Sequence, residues 1–271
     1  MNIAAKYSDN NFKHFTKQGY QGALPRRTKY GYDDAYGLGL TPIHEVEALD
    51  VLAWEDVKEA IEESHTKKMQ PIYHQHNTWA PPGFRSNQNG LPFCWTWSLA
   101  ATFLDLRAME AKDTVMLAPV SMGWLVDWRE QGYYLDDSIR GLRERGMAPV
   151  TSIGGDFNSI NRNPSSYQSN WKEQALNYRL EEVWDTDTRK NDKYTIQQAA
   201  TILTAGRPCY MAINSMSHAM MITGIWWDES EYLNIEWGVR NSHNEPDIIR
   251  TSGSRWIPDE IYGFASSKLR S

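Results

Sequence analysis

Cysteine is scarce in this chain: only Cys94 and Cys209 occur among 271 residues. Two thiols cannot make a disulfide framework, and in a reducing compartment a lone cysteine is usually either buried or catalytic. Long apolar runs are also lacking. No stretch of 18 apolar residues occurs, so no segment reads as a membrane helix and no membrane partner is expected. Met1 to Tyr30 carries six cations against one anion and has no apolar run of the kind a secretory signal needs. The expectation is a cytoplasmic or virion-associated chain with no secretion signal. An excess of positive charge is missing as well. Lys and Arg number 28 against 34 acids, a formal charge of -6, and this argues against a nucleic acid partner held through its phosphates. What is plentiful is aromatic surface, with 12 Trp and 14 Tyr in a chain that is 41 % hydrophobic and 23 % charged. That composition supports a sizeable core, and rings in such number pack it or wall a groove.

Two stretches differ. Residues 1–80 read as an N-terminal extension, an irregular basic arm followed by one acidic helix. Met1 to Tyr30 has a net charge of +5, whereas Gly31 to Thr66 has -9, a pairing suited to self-contact or to docking into a larger protein assembly. Within it Leu52, Val57, Ala60 and Ile61 share one side of a helix predicted over Leu52 to Lys68. Ala80-Pro81-Pro82-Gly83 breaks both helix and ladder and marks a boundary. Residues 81–271 form the second stretch. The run from Cys94 to Ala111 is apolar nearly all round and predicts a buried central helix with Pro92 just ahead of it. Asp136 to Arg145 predicts a second helix stopped by Gly146. Thr195 to Ala205 predicts a third, with Thr195 and Gln198 as a capping box and Gly206 at its end. Cys209 to Asn214, His218 to Trp227 and Tyr232 to Asn241 then read as strands, with Asp228-Glu229-Ser230-Glu231 as a hairpin loop. Helices first and antiparallel strands later give an α+β layout, with a cleft where the halves meet.

Cys94 carries the chemistry. At the first turn of a helix its thiolate is stabilised by backbone N–H groups and the helix dipole, and a lowered pKa is the expectation. Acyl transfer also needs a base, a group to orient that base and donors for an oxyanion. His218 opens a predicted strand, Asn241 ends the next, and Gln88 lies six residues before the cysteine. His74 and His76 are metal-compatible rings without a supporting ligand pattern, so neither a metal nor another cofactor is expected.

Gln88, five intervening residues and then Cys94-Trp95-Thr96-Trp97-Ser98, followed by His218-Ala219 and Asn241-Ser242, resemble the papain-like cysteine proteases. His218 lies 124 residues after Cys94 and Asn241 lies 147 after it, near the ~130 to 150 of that family. The resemblance implies a two-lobed fold, a central-helix lobe packed on an antiparallel β-sheet lobe, over residues 81–271. It implies a thiol peptidase whose nucleophile is Cys94, paired as thiolate with an imidazolium His218 that Asn241 orients. The Gln88 amide and the Cys94 N–H would form the oxyanion hole. Trp95, Gly132, Tyr133 and Ser217 are its candidate substrate contacts, for a peptide or protein substrate. Three departures stand out. Leu91-Pro92-Phe93 replaces the family's Cys-Gly-Ser, Gln131 replaces a cleft glycine, and His243 replaces the Trp that would shield the Asn241–His218 bond. Reduced peptidase activity would follow. The alternatives are a non-proteolytic structural component of a phage particle or other large assembly, and a Cys-His amidase or acyltransferase.

Overall fold

The computed structural model describes residues 6–7, 23–24, 41–42, 49–69, 72, 79–80, 84–112, 115–127, 132–186, 191–244 and 248–267. Most of the basic arm, His74, His76, Pro81 to Gly83 and Gln131 lie outside the described residues. Three two-residue strands come first, β1 (Lys6–Tyr7), β2 (Ala23–Leu24) and β3 (Thr41–Pro42), and then the helix α1 (Trp54–Thr66). There follow α2 (Cys94–Met109), α3 (Pro119–Leu125), β4 (Tyr133–Tyr134), α4 (Leu135–Glu144), α5 (Val150–Ile153), α6 (Trp171–Ala175), β5 (Leu180–Asp185) and α7 (Asp192–Thr204). The chain closes with β6 (Cys209–Ile213), β7 (His218–Trp227), β8 (Ile235–Arg240), β9 (Ile249–Ser252) and β10 (Glu260–Ser267).

Among the described residues the main sheet has eight strands in the order β1-β9-β8-β7-β6-β10-β5-β3. The consecutive neighbours β6, β7, β8 and β9 pair antiparallel, and β10 returns to pair antiparallel with both β6 and β5. Alternation along a strand sends successive side chains to opposite faces. Tyr210 and Ala212 therefore join one apolar cluster, while Cys209, Met211 and Ile213 join the other. The first cluster contains α2, and the second contains Val57 and Ile61 of α1 with Ile196, Ala199 and Ile202 of α7. Helices thus cover both faces. Docking of residues 1–80 into a larger assembly finds no support here: the described parts of that stretch pair with and pack on this same chain.

The α2 helix is the element that fixes the site. Fourteen of its sixteen residues are buried, and each large apolar side chain so placed contributes about 1.5 to 3 kcal/mol. Polar atoms lock its angle on the sheet. The Ser98 hydroxyl donates to the Ala219 carbonyl at 2.8 Å, and the Tyr210 hydroxyl donates to the Trp95 carbonyl at 3.0 Å.

Some local expectations change. The α7 helix starts one turn before the expected Thr195, because the Asn191 side chain accepts from the Tyr194 N–H at 2.9 Å and is the cap. The Thr195 hydroxyl instead donates back to the Asn191 carbonyl within the helix. Asparagine is as good a cap as any residue type, so the earlier start wins. Gly146 does stop α4 in the left-handed region at φ 75°. A Cβ there would sit 1.9 Å from the Ala175 carbonyl oxygen, so that glycine also permits α6 to approach.

Candidate active site

Four chain segments converge at the start of α2. The sulfur of Cys94 accepts from the Ala219 N–H at 3.3 Å, which places it beside the first residues of β7. At the start of that strand the His218 Nε2 lies 2.7 Å from the Asn241 Oδ1, just past the end of β8. The same oxygen accepts from the Ser242 N–H at 2.7 Å. An oxygen is an acceptor only, so the His218 Nε2 carries the proton, and in the neutral ring the lone pair is on Nδ1. His218 is fully buried and Asn241 is 3 % exposed.

Gln88 is tied to the same strand end. Its N–H donates to the Ser242 carbonyl at 2.8 Å, and its side-chain oxygen accepts from the Ser242 hydroxyl. One amide N–H of Gln88 donates to the Leu91 carbonyl. Asn158 braces the loop from outside: its side-chain oxygen accepts from the Asn87 N–H at 2.8 Å, and its amide donates to the Arg85 carbonyl at 2.8 Å. Gln88, Cys94, His218 and Asn241, separated by up to 153 residues in sequence, therefore belong to one buried cluster. Of the candidate substrate contacts, Trp95 is wholly buried and its ring packs on Tyr133 at 4.7 Å. Gly132, Tyr133 and Ser217 are half-buried. Ser217 adopts a left-handed backbone, φ 48° and ψ 44°, that turns the chain into His218.

Burial reverses the expected electrostatics. It pushes the Cys94 thiol up to about 12, against the opposing pull of backbone N–H groups, with Ala219 the strongest. It also lowers His218 to about 3, helped by His243 and opposed by the bond to Asn241. The helix start does help the thiolate, yet full desolvation of a charge outweighs a few partial charges. Both shifts favour the neutral form of each group, the direction opposite to the expected lowering of the Cys94 pKa. The His243 substitution likewise leaves the Asn241–His218 bond dry, with the two imidazole rings edge-to-face at 5.0 Å.

The sequence reasoning missed Asn158, the side-chain bond from Ser242 to Gln88, and Ala23, which joins the apolar cluster that contains Cys94. Nothing in a single sequence marks Asn158 or Ala23. The Ser242 bond had a signal in the Asn-Ser pair itself. Among the described residues one acidic group, Asp228, Glu231 and Glu236, has metal-compatible spacing, and it lies outside this cluster. No described helix is long and apolar enough to cross a membrane.

Residues 157–246 match the family described as papain-like cysteine protease AvrRpt2. That match spans His218 and Asn241 but stops short of Gln88 and Cys94. A search of curated proteins found no match. Among solved structures, xylellain, a cysteine protease from Xylella fastidiosa, superposes with a TM-score of 0.54 at 15 % identity, over 90 % of this chain and 99 % of that one. Digestive procathepsin L 3 of Tenebrio molitor gives 0.55 at 10 % identity, over 92 % and 77 %. The cysteine protease and lectin-like domains of Cwp84 from Clostridium difficile give 0.55 at 14 % identity, over 83 % and 63 %. The fold is that of the papain-like cysteine proteases, and a third of the sequence, residues 157–246, matches one family of them.

Proposed function

We propose that the chain is a cysteine-type endopeptidase that hydrolyses peptide bonds through an acyl-enzyme, with Cys94, His218 and Asn241 as its triad. The observation that supports this most is the 2.7 Å contact of the His218 Nε2 with the Asn241 oxygen, one residue away from the Ala219 N–H on the Cys94 sulfur. A neutral pair reacts by general base catalysis. As the sulfur attacks the peptide carbonyl carbon, its proton passes to the Nδ1 of His218, and the resulting imidazolium is held by Asn241. Charge develops on the carbonyl oxygen, and the Cys94 N–H with the Gln88 amide would receive it. For that, the Gln88 amide presents a donor not used by Leu91. The imidazolium then protonates the leaving amine, the C–N bond breaks and a thioester remains. Water, deprotonated by His218, attacks the thioester and releases the carboxylic acid and the thiol.

The test is mass spectrometry of the full chain mixed with a peptide ester. A transient acyl adduct on Cys94 with hydrolysis of peptide substrates supports the reading. Adduct transfer to an amine without hydrolysis would make the protein an acyltransferase, and no adduct with no turnover would remove the peptidase assignment.

A further inference from the structure

The loop that carries Gln88 is paired along both of its backbone edges. In an extended chain the polar groups of successive residues point to alternate sides, and buried ones need partners. On the sheet side the Asn244 N–H donates to the Ser86 carbonyl and the Gln88 N–H to the Ser242 carbonyl, both at 2.8 Å, around an antiparallel bridge of Asn87 with His243. On the other side one side chain takes both the Arg85 carbonyl and the Asn87 N–H. The Asn158 amide donates to the first and its Oδ1 accepts from the second, each at 2.8 Å. A carboxamide bonded in this way to two residues of one edge stands in for a third strand.

The same Oδ1 accepts from the indole Nε1 of Trp97 at 3.4 Å, three residues after Cys94 on α2. One oxygen therefore ties the Gln88 loop to the helix that begins at Cys94. Asn158 is itself held in place. Its N–H donates to the Asp156 carboxylate at 2.8 Å, and its carbonyl accepts from the Asn89 side-chain amide at 2.9 Å. The preceding residue, Phe157, is 1 % exposed and packs edge-on against Phe84 at 5.3 Å and Trp97 at 6.4 Å. That ring fixes the backbone of Asn158 between the start of the loop and α2.

We propose that Asn158, 70 residues after Gln88 in sequence, is a positioning residue for the oxyanion hole and sets the separation of the Gln88 amide from Cys94. The clamp stands on the contacts above, and its consequence for turnover rests on the peptidase reading. Such a residue never touches substrate. It matters only in steps where negative charge develops on a carbonyl oxygen, because stabilisation there depends on a donor fixed in advance at the right distance. Attack on a peptide is such a step: the S–C bond forms, the carbonyl π pair moves to oxygen and the thiol proton goes to His218. Alkylation by iodoacetamide is not, since the sulfur displaces iodide from a CH₂ carbon and no oxyanion forms.

The experiment compares the full chain with Asn158→Ala, Gln88→Ala and the double variant. Asn161→Ala is the control, because the Asn161 amide bonds the Ile153 carbonyl and the Ser166 hydroxyl within its own loop. Gln88→Ala should lower kcat by about a hundredfold, the scale of one lost oxyanion donor. Asn158→Ala misplaces that donor and should lower kcat by about tenfold with KM little changed. The double variant should be no slower than Gln88→Ala, since a residue acting through Gln88 has no effect once Gln88 is gone. Iodoacetamide labelling of Cys94 in Asn158→Ala, and kcat in Asn161→Ala, should match wild type. Additive losses in the double variant, or an equal loss in Asn161→Ala, would make the role one of general stability and overturn the proposal. Amide hydrogen exchange needs no turnover: in Asn158→Ala it should quicken at Asn87 and Gln88 and stay unchanged along β7. Unchanged exchange at Asn87 overturns the clamp whatever the kinetics. A wild type that hydrolyses no peptide removes the peptidase reading, and the exchange result then decides the clamp by itself. If Asn158→Ala does not fold, Asn158→Asp, which keeps an acceptor for the Asn87 N–H and loses the donor to Arg85, is read against the same outcomes.

Discussion

The two cysteines occupy opposite faces of one sheet and differ in what surrounds them, not in how deeply they lie. Cys94 and Cys209 are both fully buried and both free. Burial raises the pKa of each, and for Cys209 desolvation is the sole cause. Cys94 differs in receiving backbone N–H groups from Ala219, the residue after His218, and from the α2 start. Depth therefore does not separate the proposed nucleophile from the packing thiol, whereas directed N–H donors do.

The sharpest test of that contrast is replacement of each sulfur. Cys94→Ala should lower peptide hydrolysis by roughly a thousandfold or more, because no other group on that face can form the thioester. Equal turnover in wild type and variant would end the comparison. Removing the orienting group should do less. Asn241→Ala keeps the nucleophile and the base, and a loss of about ten- to a hundredfold in kcat with little change in KM is expected.

A third prediction concerns pH. The folded His218 is lowered to about 3 and His243 to about 4, both chiefly by burial. Below pH 6.5 the unfolded chain takes up protons that the folded rings refuse. Stability should accordingly fall as pH drops from about 6.5 toward 3, by up to about 1.4 kcal/mol per unit for each ring. Melting temperatures across that window measure it, and His243→Phe should flatten the slope by its own share. At the other end Cys94 contributes stability that is present below the unfolded thiol pKa and is lost as pH rises toward about 12.

The smallest effect belongs to the other face. Cys209→Ala leaves a small cavity among Met211, Ile222 and their neighbours, and should cost about 1 kcal/mol by denaturant unfolding while turnover is unchanged. A large loss of turnover in that variant would mean that the two faces are coupled through β6.

Much of the framework was legible in the residues. All-round apolarity from Cys94 predicted α2, observed as Cys94–Met109, and enrichment in Ile, Tyr, Trp and Met predicted β6, β7 and β8, although β8 begins at Ile235 because Tyr232–Asn234 forms a 3-10 turn. Gly146 and Gly206 marked their helix ends because each adopts a positive φ that other residues resist. The two-residue strands β1, β2 and β3 were not legible. A pair of residues has no period, and their pairing is a property of the sheet edge or groove wall that receives them.

What the sequence determined by itself is the set of groups available for chemistry, Gln88, Cys94, His218 and Asn241, together with the local patterns that place them at a helix start, a strand start and a strand end. The tertiary structure alone decided how deeply they are buried and which atoms face them. Whether a thiol at a helix start is an anion depends on the water left around it, and that follows from how the sheet and α2 bury the sulfur. Local donors act within one turn of a helix, whereas desolvation is the sum over every atom packed nearby, and no stretch of sequence contains that sum.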